Sequence, residues 1–190
     1  MIYPIVVYDH PILRKVAEDV TKDHIGLQQL IKDLFETMYK ADGIGLAAPQ
    51  IGKSERVFVI DGSPVAEDEP AMANFKKTFI NAHIIEKSGE TALMQESCLS
   101  IPNLKEEVKR ESHIRIIYYD QDWVFHDETY DGYVARVIQH EYDHLDGIMF
   151  IDRVSPLRKR LIKGKLTSIS KGMFDARYKT ILQGQKIKGY

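Results

Sequence analysis

His140, Glu141 and His144 follow one another as His-Glu-Tyr-Asp-His, two histidines four apart with a glutamate beside the first. On a helix, residues four apart share a face. Two imidazoles at that spacing can grip one metal ion, and the glutamate can handle the proton of a water that the metal activates. Two histidines alone make a poor catalytic centre, because a catalytic zinc or iron keeps three protein ligands and one open position. No histidine or glutamate follows His144, which excludes peptidases that recruit a downstream one. Asp146, Asp152 and Asp175 remain downstream and Cys98 upstream, and of these a thiolate best suits a borderline or soft metal.

The elements that must hold these residues follow from spacing. Asp131-Gly132 opens a helix and Asp146-Gly147 closes it. Tyr133, Val137, His140 and His144 then lie on one helix face. Upstream, residues 11–18 read as a short helix. A longer helix is capped by Asp23, carries Leu27, Leu30, Ile31, Leu34, Phe35 and Met38 at helical spacing, and ends with Gly43 past its C-terminus. Residues 43–50 read as a small-residue loop, 56–61 as a strand, and 62–72 as an acidic surface loop with two prolines. Residues 78–90 and 112–125 are rich in Ile, Tyr and Thr and read as strands, separated by an irregular stretch at 95–102. Ser155-Pro156 is an N-cap and first-turn pair for a final helix over about 156–171. The expected fold is α+β: antiparallel or mixed sheets around a central metal-binding helix, plus a C-terminal helix, in one domain over 1–190.

Composition narrows the class. The 190 residues are 44% apolar and 28% charged with net charge −2, so no global field points to nucleic acid or membrane. One cysteine, Cys98, precludes an internal disulfide and fits a reducing cytoplasm. The opening residues, Met1 to Tyr8, carry Pro4 and no basic run. Their apolar run is too short for a signal peptide or a membrane span, so a cytoplasmic protein is expected.

Three segments together resemble the signature motifs of the peptide deformylases. They are Gly-Ile-Gly-Leu-Ala-Ala-Pro-Gln at 43–50, Glu-Ser-Cys-Leu-Ser at 96–100 and Gln-His-Glu-Tyr-Asp-His-Leu-Asp-Gly at 139–147. They occur in the family's order, and the similarity spans roughly residues 5–165. Ser97 departs from the family, whose second motif has glycine there. An extended backbone at that position would make serine harmless.

The resemblance implies that Cys98, His140 and His144 bind one divalent metal and that Glu141 is the general base and acid. Ferrous iron is the physiological ion it favours, with Zn2+, Ni2+ or Co2+ as substitutes. It further implies attack on the formyl carbon of an N-formylmethionyl peptide, with the oxyanion met by the Gln50 side-chain amide and the backbone N–H of Leu99. Ile44, Gly45, Tyr133 and Val137 are candidates for the substrate pocket, although core packing is the commoner fate of such residues. The run 43–48 lets backbone approach a peptide and pair with it as an added strand. Glu96 and Arg136 are read as a pair holding Cys98 and the helix in register.

Two other readings compete on the sequence alone: a zinc endopeptidase with an aspartate as third ligand, and a non-enzymatic metal-stabilised RNA- or ribosome-binding module. The second is prompted by the tail. Residues 153–190 hold eleven Lys and Arg against one acid, Asp175, about +10 in a chain of total −2. In the final helix Ile162, Leu166 and Ile169 form an apolar stripe, while Lys159, Arg160, Lys163 and Lys171 fall on another arc, with Gly164 a weak point. The stripe should pack on the domain and leave a basic face for solvent or for ribosomal RNA. A monomer is expected.

Overall fold

Residues 57–61, Val-Phe-Val-Ile-Asp, are apolar at all but the last position, and such a run has no face to offer solvent. The computed structural model describes residues 1–185 and buries this run on both sides. In chain order the elements are β1 (Ile5–Val6), α1 (Leu27–Lys40), β2 (Gly45–Ala47), β3 (Val57–Asp61), β4 (Lys76–Cys98) and β5 (Ile101–Tyr119). They continue with β6 (Phe125–Asp131), α2 (Gly132–Leu145), α3 (Pro156–Ser170) and β7 (Thr180–Ile181). One five-stranded antiparallel sheet runs in the order β2-β3-β4-β5-β6, and β1 pairs with β7 in a separate parallel ribbon. The α+β class expected from the spacing is the observed one.

The alternation along β3 explains the layering. Phe58 and Ile60 pack with Phe79, Ile114 and Ile116 against Val134, Val137 and Ile138 of α2. Val57 and Val59 point the other way, into a cluster with Leu27, Leu30, Leu34 and Met38 of α1. The sheet is therefore clamped between two helices. The helix that carries the histidines is thereby buried over most of its length.

The C-terminal end of α2 is held by polar bonds. Arg56, 4% exposed, sends Nη2 to Asp146 Oδ1 (2.8 Å) and Nε to the Ala82 carbonyl (2.9 Å), tying the helix end to β3 and β4. The Ala17 N–H donates to the Leu145 carbonyl at 2.7 Å. Gly147 turns the chain out of the helix at φ +70°, with the Arg14 carbonyl oxygen 2.6 Å from where a Cβ would sit.

Several expectations are corrected. The long helix does not begin at an Asp23 cap. Its N-cap is Gly26 at φ 88°, a left-handed turn that breaks any earlier helical run. At the other end Asp42 (φ 56°), not Gly43, takes the left-handed position after the C-cap Ala41. The early helix is only a 3-10 turn over Pro11–Arg14. Residues 45–47 of the expected loop form strand β2, paired residue by residue with β3. The largest miss is the hairpin. Residues 95–98 and 101–102 are strand, so the irregular stretch shrinks to Leu99 and Ser100. Charged residues at 105, 107 and 109 hid the strand character, although they alternate with buried Leu104, Glu106, Val108 and Arg110. The strand expected over 112–125 is interrupted after Tyr119, where Asp120 Oδ1 accepts the N–H groups of Asp122 and Val124, and the chain returns as β6. Ser155 caps α3 as expected, accepting the Arg158 N–H. Ile162, Leu166 and Ile169 are buried, the basic arc is exposed, and the helix runs unbroken through Gly164.

Gly147→Ala should destabilise the fold by about 2 kcal/mol or more, since it adds a left-handed strain and a clash with backbone that cannot swing away. Urea unfolding measures this, and a change below about 0.5 kcal/mol would refute it.

Candidate metal centre

Cys98 is the last residue of β4, at the mouth of the two-residue turn that starts β5. The inner face of α2 passes directly over it. Cys98 Sγ lies 3.2 Å from His144 Nε2, and the ligand atoms of Cys98, His140 and His144 all fall within 4.8 Å of one another. Among the described residues this is the group of His, Cys, Asp or Glu side chains that converges closely enough to hold a metal ion. Of the aspartates left open by the spacing, Asp146 pairs with Arg56 and Asp152 with Arg14, and neither they nor Asp175 joins the converging group.

Each ring is aimed. His140 Nδ1 meets Glu96 Oε2 at 2.9 Å, which leaves its other nitrogen for the cluster. Glu96 also accepts Arg136 Nη1 (2.9 Å) and a two-pronged approach from Arg110 through Nε (2.7 Å) and Nη2 (2.9 Å). The Glu96–Arg136 pair expected from the sequence is present, and Arg136 further donates to the Val108 and Ala92 carbonyls. Arg110 reaches on to Asp143 Oδ2 (2.7 Å), which Arg153 grips from the far side. A buried chain of alternating charge thus links β4, β5 and α2 behind the histidines.

These surroundings set the charges. Burial pushes the Glu96 carboxyl up, but hydrogen bonds from Arg110 and His140 outweigh it and hold the group well below the usual carboxylate range. Burial likewise raises the Cys98 thiol, yet His144 and His140 more than reverse this and bring it to about 5. Cys98 is therefore a thiolate at neutral pH, the form that ligates metal. A soft thiolate and two imidazoles, converging on one point, fit a divalent transition metal.

Glu141 stands beside the cluster, 5% exposed, with Oε2 lacking any partner. Burial, the largest cause, with the nearby thiolate and Glu96 adding to it, pushes its carboxyl up to about 7 against the pull of the two histidines. Gly45 makes room for it: a Cβ there would lie 2.4 Å from Glu141 Oε1. The same strand leads into the turn that buries Gln50. Gln50 Oε1 accepts the Ala47 N–H (2.8 Å), which fixes the amide so that Nε2 faces Ser100 Oγ (3.3 Å) and Cys98 Sγ (3.5 Å). Leu99 occupies the hairpin turn, its side chain partly buried. Ile44, Gly45, Gln50, Leu99, Tyr133, Val137, His140 and Glu141 all line one cleft of about 860 Å³. Ser97 is exposed and extended within β4, so it carries no left-handed strain.

The polypeptide deformylase family pattern matches residues 2–160. The chain belongs to the polypeptide deformylase family. It is 50% identical over 186 residues to the peptide deformylase of Christiangramia forsetii, an overlap of 94% of this chain and 95% of that one. It is 51% identical over 179 residues to that of Cytophaga hutchinsonii, covering 94% and 96%. The crystal structure of peptide deformylase from Thermotoga maritima superposes with a TM-score of 0.73 at 42% identity, covering 82% of this chain and 99% of that one. Metal-dependent removal of an N-formyl group is the general activity of this family of enzymes. The endopeptidase and binding-module readings fall away with it.

Arg110, Asp143, Arg153 and Ser100 took no part in the sequence reading of the site. A signal existed for Arg110: it sits on the inward parity of β5, where Leu104 and Val108 also point. A charge on an apolar parity announces a buried partner.

Gly45→Ala should retain metal near one equivalent, because no ligand is touched. It should lose at least about tenfold in deformylation, because the Glu141 carboxylate must shift. Metal analysis beside a formyl-peptide assay tests this, and full activity in the variant would refute it.

Proposed function

We propose that this chain deformylates N-formylmethionyl peptides, with Cys98, His140 and His144 holding the metal and Glu141 moving the proton. The observation that carries the reading is a buried, partnerless Glu141 oxygen beside three convergent metal-ligand atoms in one cleft. A divalent ion held there acidifies water toward neutrality and polarises the formyl oxygen.

The remaining work belongs to the protein. A carboxyl that burial raises above its usual range is suited both to take a proton from water and to give it to the leaving amine. Gln50 Nε2 and the Leu99 N–H act as the donors that meet the developing oxyanion. Gln50 is locked from behind by the Ala47 N–H, so it need not reorganise during the reaction. Ile44, Tyr133 and Val137 form the apolar wall for the methionine side chain. β2 is an edge strand of the sheet, and the substrate backbone lies alongside it as an added strand. Ferrous iron is the physiological ion that the family resemblance favours, while the ligand set of one thiolate and two imidazoles suits zinc and nickel as well. Metal analysis of protein purified without oxygen checks that choice.

The enzyme is read as a cytoplasmic monomer that meets nascent chains at the ribosome. No helix among the described residues is long and apolar enough to cross a membrane. On α3, Lys159, Arg160 and Lys163 are exposed while the apolar stripe is buried, so the basic face is turned to solvent, with Lys159 also donating to the Asp152 carbonyl (2.6 Å). Lys186 and Lys188, part of the basic tail, lie outside the described residues.

Glu141→Ala should keep its metal and lose about 10²–10⁴-fold in turnover of formyl-Met-Ala-Ser, read as released formate. Cys98→Ser should lose the metal itself, because a neutral hydroxyl replaces a thiolate. Half-maximal activity in the first variant, or one equivalent of metal in the second, would overturn the respective assignment. The ribosome reading predicts co-sedimentation at low salt that fades as salt rises. Reversing Lys159, Arg160 and Lys163 to Glu should abolish it without changing tripeptide hydrolysis. Unaltered co-sedimentation would remove α3 from that role.

A further inference from the structure

The family pattern stops at residue 160, yet the chain after α3 returns to the active-site cleft. β7 adds in parallel to β1, with the Ile5 N–H donating to the Lys179 carbonyl (2.8 Å) and the Val7 N–H to the Ile181 carbonyl (2.9 Å). Asn103 Nδ2, on β5, donates to the Asp175 carbonyl at 3.0 Å. Between these two ties lies Tyr178. Its ring lines the cleft, and its hydroxyl donates to the Leu99 carbonyl at 2.7 Å.

Leu99 and Ser100 are the whole of the turn between β4 and β5. A two-residue turn can pivot about its peptide planes unless those planes are fixed from outside. Here they are. The Tyr8 N–H donates to the Ser100 carbonyl at 2.8 Å, and Gln50 Nε2 reaches Ser100 Oγ. Tyr178 supplies the hold on the plane that carries the Leu99 carbonyl. The Leu99 N–H sits in the neighbouring peptide plane; with the Leu99 carbonyl plane fixed on one side and Cys98 paired with Ile101 on the other, that N–H has little freedom to turn away from the cleft.

We propose that Tyr178 is a positioning residue for deformylation: its hydroxyl, through the Leu99 carbonyl, keeps the Leu99 N–H aimed at the oxyanion. The ribbon of β1 and β7 is thereby part of the active site's support. This rests on the reading of Leu99 as an oxyanion donor.

Tyr178→Phe removes only the hydroxyl. Loss of a whole oxyanion donor costs about 10²–10³ in kcat, so loosening one should cost less, about 5- to 20-fold. The loss should fall on kcat for formyl-Met-Ala-Ser, with KM, metal content and thermal midpoint near those of the parent. Replacing Tyr178 by 3-fluorotyrosine, nearly isosteric and a stronger donor, should hold kcat at or above the parent value, and a fall there would count against the proposal. Gln50→Ala is measured in parallel. If it leaves kcat unchanged, the oxyanion reading itself fails. If it lowers kcat while Tyr178→Phe does not, only the role of Tyr178 fails. A Tyr178→Phe loss confined to KM would make the hydroxyl a substrate contact, and a loss that tracks metal or fold would make it structural. Either result overturns the proposal.

Discussion

Glu96 is a negative charge taken out of water, and an isolated one would cost several kcal/mol. The site is built around its compensation. Arg110 from β5, Arg136 and His140 from α2 all converge on a single β4 carboxylate. Removing a partner from such a cluster leaves the others buried and unpaired, so the arrangement is nearly all or none. It fixes β4 against α2 at the level of His140, two residues before Cys98. Ion pairs behind the centre thereby hold His140 in register with the end of β4 that carries Cys98.

A second constraint is closeness. The Glu141 carboxyl is raised because it is buried, and β2 can come against it because the residue there, Gly45, has no side chain. The same strand leads on to Ala47, whose N–H orients Gln50. Two backbone positions of one short edge strand, Gly45 and Ala47, thus govern a carboxylate and an amide on different elements. Here Gly45 does not supply an unusual φ. It supplies the absence of a Cβ.

The metal centre also joins two cores. Cys98 belongs to the apolar cluster that includes Met149, Phe150 and the inner stripe of α3, while Val137 of α2 belongs to the cluster against the sheet. The ligands stand where these clusters meet. Shear between them is resisted by Arg56–Asp146 and by the Arg153–Asp143–Arg110 chain, both anchored on α2 or just past it. Rigid placement of a reacting group depends on such support more than on the ligands themselves.

The sequence by itself determined what depends on local pattern. Spacing along the chain put His140, Glu141 and His144 on one turn of helix, capped α3 at Ser155 and gave β3 its continuous apolar run. The three motifs in order carried the family and, with it, Cys98 as the thiolate candidate. What depends on contacts far apart in the chain was not legible. The strand character of residues 95–109 comes from pairing across a hairpin, which overrides their charged composition. The left-handed turn at Gly26 leaves a pattern that an aspartate cap would explain equally well. Arg110, Asp143 and Arg153 are ordinary surface types until folding brings opposite charges 33 and 10 residues apart into contact. Tyr178 meets Leu99 across 79 residues, because β7 docks on β1. Such meetings are fixed by the burial of charge and by strand pairing between distant segments, and tertiary structure alone decides them.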